Sequence, residues 1–178
     1  MDNKLTQLIP GNPGTSFVVA LLYAIQQKYG ENVLNDDQLI LFTRGIIKSR
    51  NVFFSGVINE IALRFNKQIV FLTNSVFVLK LAKPEINKKV VDVVFSKLDK
   101  KAFDKLLNIY GYVVFSVDMF EFRKYHDYHF ICISRKHDYY EVFEPKSGLV
   151  FKKSEKEIEA LINSVTIGLK DILMCFVV

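Results

Sequence analysis

The chain has 178 residues, of which 50% are hydrophobic and 24% are charged, a composition that excludes a disordered chain and predicts a globular protein with a proper core. The formal net charge of +5 is modest, and the lysines are scattered without an aromatic-basic motif, so we expect no nucleic acid among the partners. The length predicts a single domain over residues 1–178.

The cysteines and the chain start bear on the compartment. Cys132 and Cys175 lie in apolar, strand-like runs, which predicts buried thiols in a reducing compartment. The first residues are polar and no cleavage motif follows, so no signal peptide is expected. The apolar run at 17–25 is too short to span a bilayer. These features predict a cytoplasmic protein without membrane insertion.

The first element is a helix that is apolar on every side. The apolar run at 17–25 follows Pro13-Gly14-Thr15-Ser16, and Gly30 is a stop signal. A helix of this kind is buried all round, so we predict a central helix over 16–29 that packs on a sheet. Small polar residues at its start would make a site of positive potential.

The remaining elements follow from capping residues and apolar periodicity. Further helices are predicted at 35–45, 56–65, 99–110 and 154–163, the last opened by a capping box at Ser154 and Glu157. Strands are predicted at 68–72, 75–79, 90–95, 112–118, 129–134, 139–143 and 171–178. Because the helices come first and the sheet is mainly antiparallel, the predicted class is α+β.

The strands at 129–134 and 139–143 form a predicted hairpin with its turn at 135–138. His129 opens the first strand and Glu144, followed by Pro145, closes the second, so the two side chains should lie almost opposite each other. A carboxylate at that place would fix the imidazole tautomer and stabilise its cation, as in a nucleophile–base–orienter triad. The alternative is an incidental strand-end histidine and a solvated glutamate.

This arrangement resembles the papain-like cysteine peptidase fold, and most closely its leader-peptide-cleaving branch from bacteriocin transporters. Matching features are the buried N-terminal helix, the helix–strand unit at 104–118, His129-Phe130, and the turn at 144–148 with the sequence Glu-Pro-Lys-Ser-Gly. The likeness covers most of the chain, but only 102–150 is specific. It implies a hydrolase or acyl transferase that acts on peptides without a cofactor.

Two residues depart from the family pattern. Glu144 stands where Asp or Asn is usual, which lengthens the reach of the carboxylate by a methylene. No cysteine opens the helix. In one register Ser16 takes the nucleophile position, and in the other Pro13 takes it. We prefer the first register because the apolar helix then follows at once.

Ser16 has three interpretations: a natural serine in a degenerate, non-catalytic member, an engineered replacement of cysteine, or an ordinary helix cap. The chain is therefore expected to act on or bind peptides through a site of Ser16, His129 and Glu144, and to be inactive as written. The alternatives are a peptide- or protein-binding pseudopeptidase and an unrelated α+β binding domain.

Several other residues are weaker candidates. Gln7 or Asn12 would donate to an oxyanion, or would be surface polar residues. His126 and His129 form a His-x-x-His pair that crosses a loop-to-strand junction without a third ligand, so no metal is expected. A set of aromatic residues would line the cleft or pack on the core: Phe120, Phe122, Tyr125 and Tyr128.

Overall fold

The computed structural model describes residues 5–8, 13–118, 128–168 and 174–178. Within these ranges the chain forms six helices and seven strands. The helices are α1 Pro13–Tyr29, α2 Asp37–Lys48, α3 Phe53–Phe65, α4 Val76–Ala82, α5 Lys100–Tyr110 and α6 Glu155–Gly168. The strands are β1 Ile69–Thr73, β2 Val91–Phe95, β3 Tyr112–Asp118, β4 Tyr128–Arg135, β5 Tyr140–Glu144, β6 Leu149–Lys153 and β7 Met174–Val177.

The strands form one sheet in the order β2-β1-β7-β3-β4-β5-β6. Every neighbouring pair is antiparallel except β1 and β2, which run parallel. The predicted α+β class with a mainly antiparallel sheet is confirmed. Strands β2 and β6 are the two edges of this sheet.

Helix α1 is the centre of one face of the sheet, and its predicted burial is confirmed. Leu21, Leu22 and Ile25 have no exposed surface, and the helix packs against β3, β4 and β5 on one side and α2 and α3 on the other. Burying side chains of this size contributes about 1.5–3 kcal/mol each, so α1 is a main source of stability.

The start of α1 differs from the prediction. The helix begins at Pro13, so Ser16 is its fourth residue and not its first. Proline suits the first helical position because its φ is already helical and its missing N–H has no partner there. The four-residue run before the apolar stretch resembles a turn in sequence, yet it is the first turn of the helix.

The opposite face of the sheet is covered by α5 and α6. Phe103 and Leu107 of α5 join Ile158 of α6 in a second core, with Phe115 and Ile133 from the sheet. The sheet therefore lies between two helical layers. Its central strands are buried on both faces.

One short segment was predicted wrongly, and one short strand was missed. The predicted strand at 75–79 is instead α4, where the Ser75 hydroxyl accepts a hydrogen bond from the Val78 N–H at 3.2 Å as an N-cap. A short apolar run does not distinguish strand from helix. Strand β6 was not predicted, because Leu149, Val150 and Phe151 are all exposed and give no alternating pattern.

Candidate functional site

The predicted hairpin is present, and it brings His129 and Glu144 together. The His129 Nε2 and Glu144 Oε1 atoms lie 3.3 Å apart, and both side chains are buried. The last register pair of β4 and β5 is Cys132 with Phe143, so continuing the register sets His129 opposite Lys146. Glu144 is thus a diagonal neighbour of His129 and reaches it across the strands.

The Glu144 carboxylate is held in its ionised form. Its Oε1 accepts the Lys146 N–H at 2.9 Å and its Oε2 accepts the Ser147 N–H at 3.0 Å. Burial acts to raise the pKa of Glu144, but the contact with His129 and the hydrogen bonds from Ser147 and the Lys146 backbone outweigh it and lower the pKa to about 2. At neutral pH the buried imidazole therefore faces a carboxylate that is already charged.

Strands β4 and β5 separate at this end of the hairpin, and other segments enter the opening. Continuing the register would pair Phe130 with Pro145. Pro145 has no N–H, and its carbonyl accepts the Gln7 N–H at 2.8 Å instead. The Phe130 N–H donates to the Ser16 Oγ at 3.1 Å. Residues from the start of the chain thereby satisfy backbone groups that the ladder leaves open.

Ser16 has a structural contact in this opening. Its side chain has no exposed surface, and its oxygen accepts the Phe130 N–H. A nucleophile must contact its substrate with a lone pair, so full burial counts against that role for Ser16. The prediction that Ser16 marks the nucleophile position stays a prediction, and the helix start at Pro13 favours the other register.

His129 and α1 belong to opposite faces of the sheet. Phe130 and Cys132 pack in the core with α1, whereas Ile131 and Ile133 pack in the core with α5 and α6. Because side chains alternate along a strand, His129 lies on the face of Ile131 and Ile133. Ser16 therefore approaches β4 at the backbone between the two faces.

Gln7 lies beside the first turn of α1 and is buried, which contradicts the alternative of a surface polar residue. Its Nε2 donates to the Thr15 Oγ1 at 2.7 Å, and both groups are buried. The role of an oxyanion donor stays a prediction. The observed bonds make Gln7 a link between the helix start and Pro145.

Sequence reasoning missed two amides that hold the segment 5–8 in place. The Thr6 N–H donates to Asn35 at 3.2 Å, and the Leu8 N–H donates to Gln38 at 2.9 Å. Gln38 also donates to the Thr6 carbonyl at 2.7 Å and is completely buried. A signal was present, because Gln38 shares the buried face of α2 with Leu41 and Gly45, where a polar residue is unusual.

The two cysteines cannot supply a nucleophile in this fold. Cys132 and Cys175 are both buried and unpaired with each other, as predicted. Burial raises the pKa of both thiols well above the usual range, which disfavours the reactive thiolate.

Some predicted candidates are not covered by the structure. Asn12, Phe120, Phe122, Tyr125 and His126 lie outside the described residues, and Tyr128 is described only in its backbone. In the part of the chain that is described, no three His, Cys, Asp or Glu side chains are grouped as metal ligands. Of the helices described, none has both the length and the apolar character to cross a bilayer.

No family profile matches the chain, and no curated protein matches it either.

Proposed function

We propose that this chain is a non-catalytic member of the papain-like peptidase fold, a pseudopeptidase that binds a peptide or a protein. The observation that carries the proposal is the buried His129–Glu144 pair at the open end of the hairpin, 3.3 Å apart, where the next residue, Phe130, donates its N–H to Ser16 in the first turn of the buried helix α1. An orienting carboxylate beside a strand-end histidine is what such a peptidase requires of its base.

The missing component is a reactive nucleophile. Both thiols of the chain are buried, and the hydroxyl of Ser16 is buried and accepts a backbone N–H. A serine would also need its proton removed by a base in line with the attack, which a site designed around a thiolate does not require. The proposal therefore assigns His129 and Glu144 to binding and to the architecture of the site.

Introducing a thiol tests the ancestry of the site and distinguishes the two registers. We expect Pro13→Cys to react with iodoacetamide roughly tenfold faster than a free model thiol at about pH 6.5, because a helix N-terminus favours the thiolate and, if this register is right, the His129 imidazole would favour it too. Ser16→Cys should react slowly, because its position is buried. The unmodified chain measures the background from Cys132 and Cys175.

His129→Ala in the Pro13→Cys background is the matched control. If the histidine assists the thiol, this second change should abolish the acceleration. If neither introduced thiol reacts faster than the model thiol, the peptidase-like origin of the site is wrong. If the Ser16→Cys thiol instead reacts fast with iodoacetamide and the Pro13→Cys thiol reacts slowly, the register with Ser16 at the nucleophile position is the right one.

Binding is tested separately on the unmodified chain. With histidine labelled in the ring, the NMR signal of His129 should shift saturably with at least one pool from a library of short peptides. Glu144→Gln should weaken that response, because it removes the charge that orients the ring. If no pool shifts the signal, the peptide-binding part of the proposal is wrong even where the thiol test succeeds.

A further inference from the structure

The outer edge of β2 has backbone groups that face away from the sheet. The Ile69 N–H donates to the Val90 carbonyl at 2.9 Å, and the Ser96 N–H donates to the Thr73 carbonyl at 2.9 Å. In a parallel ladder the backbone N–H and C=O groups of alternate residues point to the same neighbouring strand. Those of residues 90, 92, 94 and 96 therefore point to β1. The backbone groups of Val93 and Phe95 therefore face outward. Among the described residues they have no hydrogen-bond partner on that side.

Apolar side chains are exposed at the end of this edge, beyond the exposed Asp92 and the half-buried Val93. Phe95 is 50% exposed and Val94 is 41% exposed. Helix α4 packs against β1 and β2 and adds Phe77, which is 68% exposed, and Val76. Strands that are not meant to pair usually carry charged residues, lysine above all, or proline at such an edge; β2 has no lysine or proline, and its one charged residue is Asp92.

Five lysines of the stretch 76–97 lie on either side of β2 in the sequence, and we call them the lysine rim. Its members are Lys80, Lys83, Lys88, Lys89 and Lys97. In the same stretch, 76–97, the acidic residues are only Glu85 and Asp92. No carboxylate in the described ranges forms a salt bridge with any of the five lysines. A cavity of about 280 Å³ opens beside β2, and its charged lining residues are Lys83, Lys88 and Asp92, two cations against one carboxylate.

From these observations we propose that the outer edge of β2 binds an extended, acidic segment of another protein, which adds to the sheet as an eighth strand. The outward groups of Val93 and Phe95 would pair with its backbone, and the exposed aromatic side chains would cover its apolar residues. The lysine rim would pair with its carboxylates. This inference does not depend on the His129–Glu144 pair.

The same features disfavour other occupants. A second copy paired edge to edge would bring two lysine rims together, which costs electrostatic free energy. A nucleic acid would match the charge but has no amide groups spaced to pair with a strand. The other edge, β6, is less suited to pair with an added strand because it carries Lys152. The backbone groups of Lys152 face away from β5, as the alternation of the β5–β6 register requires.

The probe is a fluorescein-labelled peptide of about eight residues in which valine alternates with glutamate. We expect saturable binding that weakens with salt, and protection from hydrogen exchange at the Val93 and Phe95 amides. Val93→Pro should weaken binding roughly tenfold, because it removes an outward N–H that the sheet itself does not use. Val150→Pro, which removes an outward N–H at the β6 edge, is the matched control and should leave binding unchanged.

Charge is tested by Lys83→Glu with Lys88→Glu, which should also weaken binding roughly tenfold. The matched control is Lys101→Glu with Lys105→Glu, an equal charge change on exposed positions of α5. A second peptide with lysine in place of glutamate should not bind. A third, N-methylated at alternate amides, should bind roughly tenfold more weakly than the first.

Three results would overturn the inference. One is equal binding of the N-methylated peptide together with competition by a single-stranded oligonucleotide, which would indicate a general polyanion surface. Another is concentration-dependent dimerisation that Val93→Pro abolishes, without peptide binding. The third is peptide binding with no protection of the Val93 and Phe95 amides. Loss of binding in the His129→Ala variant would instead locate the peptide at the hairpin and also count against the β2 edge.

Discussion

The β4–β5 opening and the outer edge of β2 both have backbone groups without a neighbouring strand, and the protein treats these two places differently. Where β4 and β5 separate, Ser16 accepts the Phe130 N–H and Gln7 donates to the Pro145 carbonyl. Along the outer edge of β2, by contrast, the groups of Val93 face outward among exposed apolar side chains. The first opening lies in the interior, where an unsatisfied backbone group costs free energy, so other residues bond to its groups. The groups at the β2 edge are reached by water, so they can stay without a protein partner.

The difference also separates what each region can do. The closed opening holds the His129–Glu144 pair in one geometry, which suits a site whose residues must be oriented. The open edge offers repeated donors and acceptors with little side-chain specificity, which suits recognition of an extended chain through its backbone. If the two regions have these roles, substitutions at each should affect different properties of the molecule.

The largest effect should come from proline in the strand at the β2 edge. Val94→Pro removes a backbone N–H that faces β1, so we expect a loss of about 3 kcal/mol or more in the free energy of unfolding. Val93→Pro removes an outward N–H and only part of the packing of the Val93 side chain on the core, so it should cost less than Val94→Pro. Urea unfolding of the two variants measures both values. Equal losses would show that both sides of β2 are hydrogen-bonded in the folded protein and would remove the contrast between the two regions.

The next effect concerns the charge of Glu144. Its pKa is about 2 in the folded state against an ordinary value of 4.5, so its stabilisation is complete above pH 4.5 and is lost as the pH falls toward 2. That loss should be on the order of 3 kcal/mol. Glu144→Gln should therefore destabilise the protein at pH 7 and flatten its stability profile between these two pH values.

Glu157 is a useful control for that measurement. Hydrogen bonds from the Ser154 backbone, Lys153 and the Ser154 hydroxyl lower its pKa to about 2 as well, but its side chain is 43% exposed. Solvent screens an interaction of this kind, so Glu157→Gln should change the pH profile much less than Glu144→Gln. Similar profiles for the two variants would contradict a special role for the buried pair.

The sequence predicted those parts of both regions that depend on local patterns. The His129 hairpin follows from alternating apolar residues and a polar turn, and the buried α1 follows from a long apolar run. The closing of the β4–β5 opening could not be predicted, because Ser16 and Phe130 are 114 residues apart and any of several small polar residues would have fitted. The absence of a lysine or proline in β2 was visible in the sequence, but its place at the edge depends on the strand order.

An effect smaller than those of Val94→Pro and Glu144→Gln tests the closing contact itself. Ser16→Ala would leave the Phe130 N–H without its acceptor in a buried place, so we expect a loss of about 1–3 kcal/mol in the free energy of unfolding. Ser55 is the matched control, because it is also completely buried in the first turn of a helix, while its hydroxyl has no hydrogen-bond partner among the described residues. Ser55→Ala should therefore be neutral or slightly stabilising.

Hydrogen exchange adds a local measurement to this pair of variants. The Phe130 amide should exchange faster in Ser16→Ala than in the unmodified chain, and Ser55→Ala should not change it. If both variants lose the same free energy of unfolding and the Phe130 amide stays protected, burial alone accounts for the contribution of Ser16 to stability. The opening between β4 and β5 would then be closed by packing and not by a hydrogen bond, and the two regions of the sheet would differ only in their exposure to water.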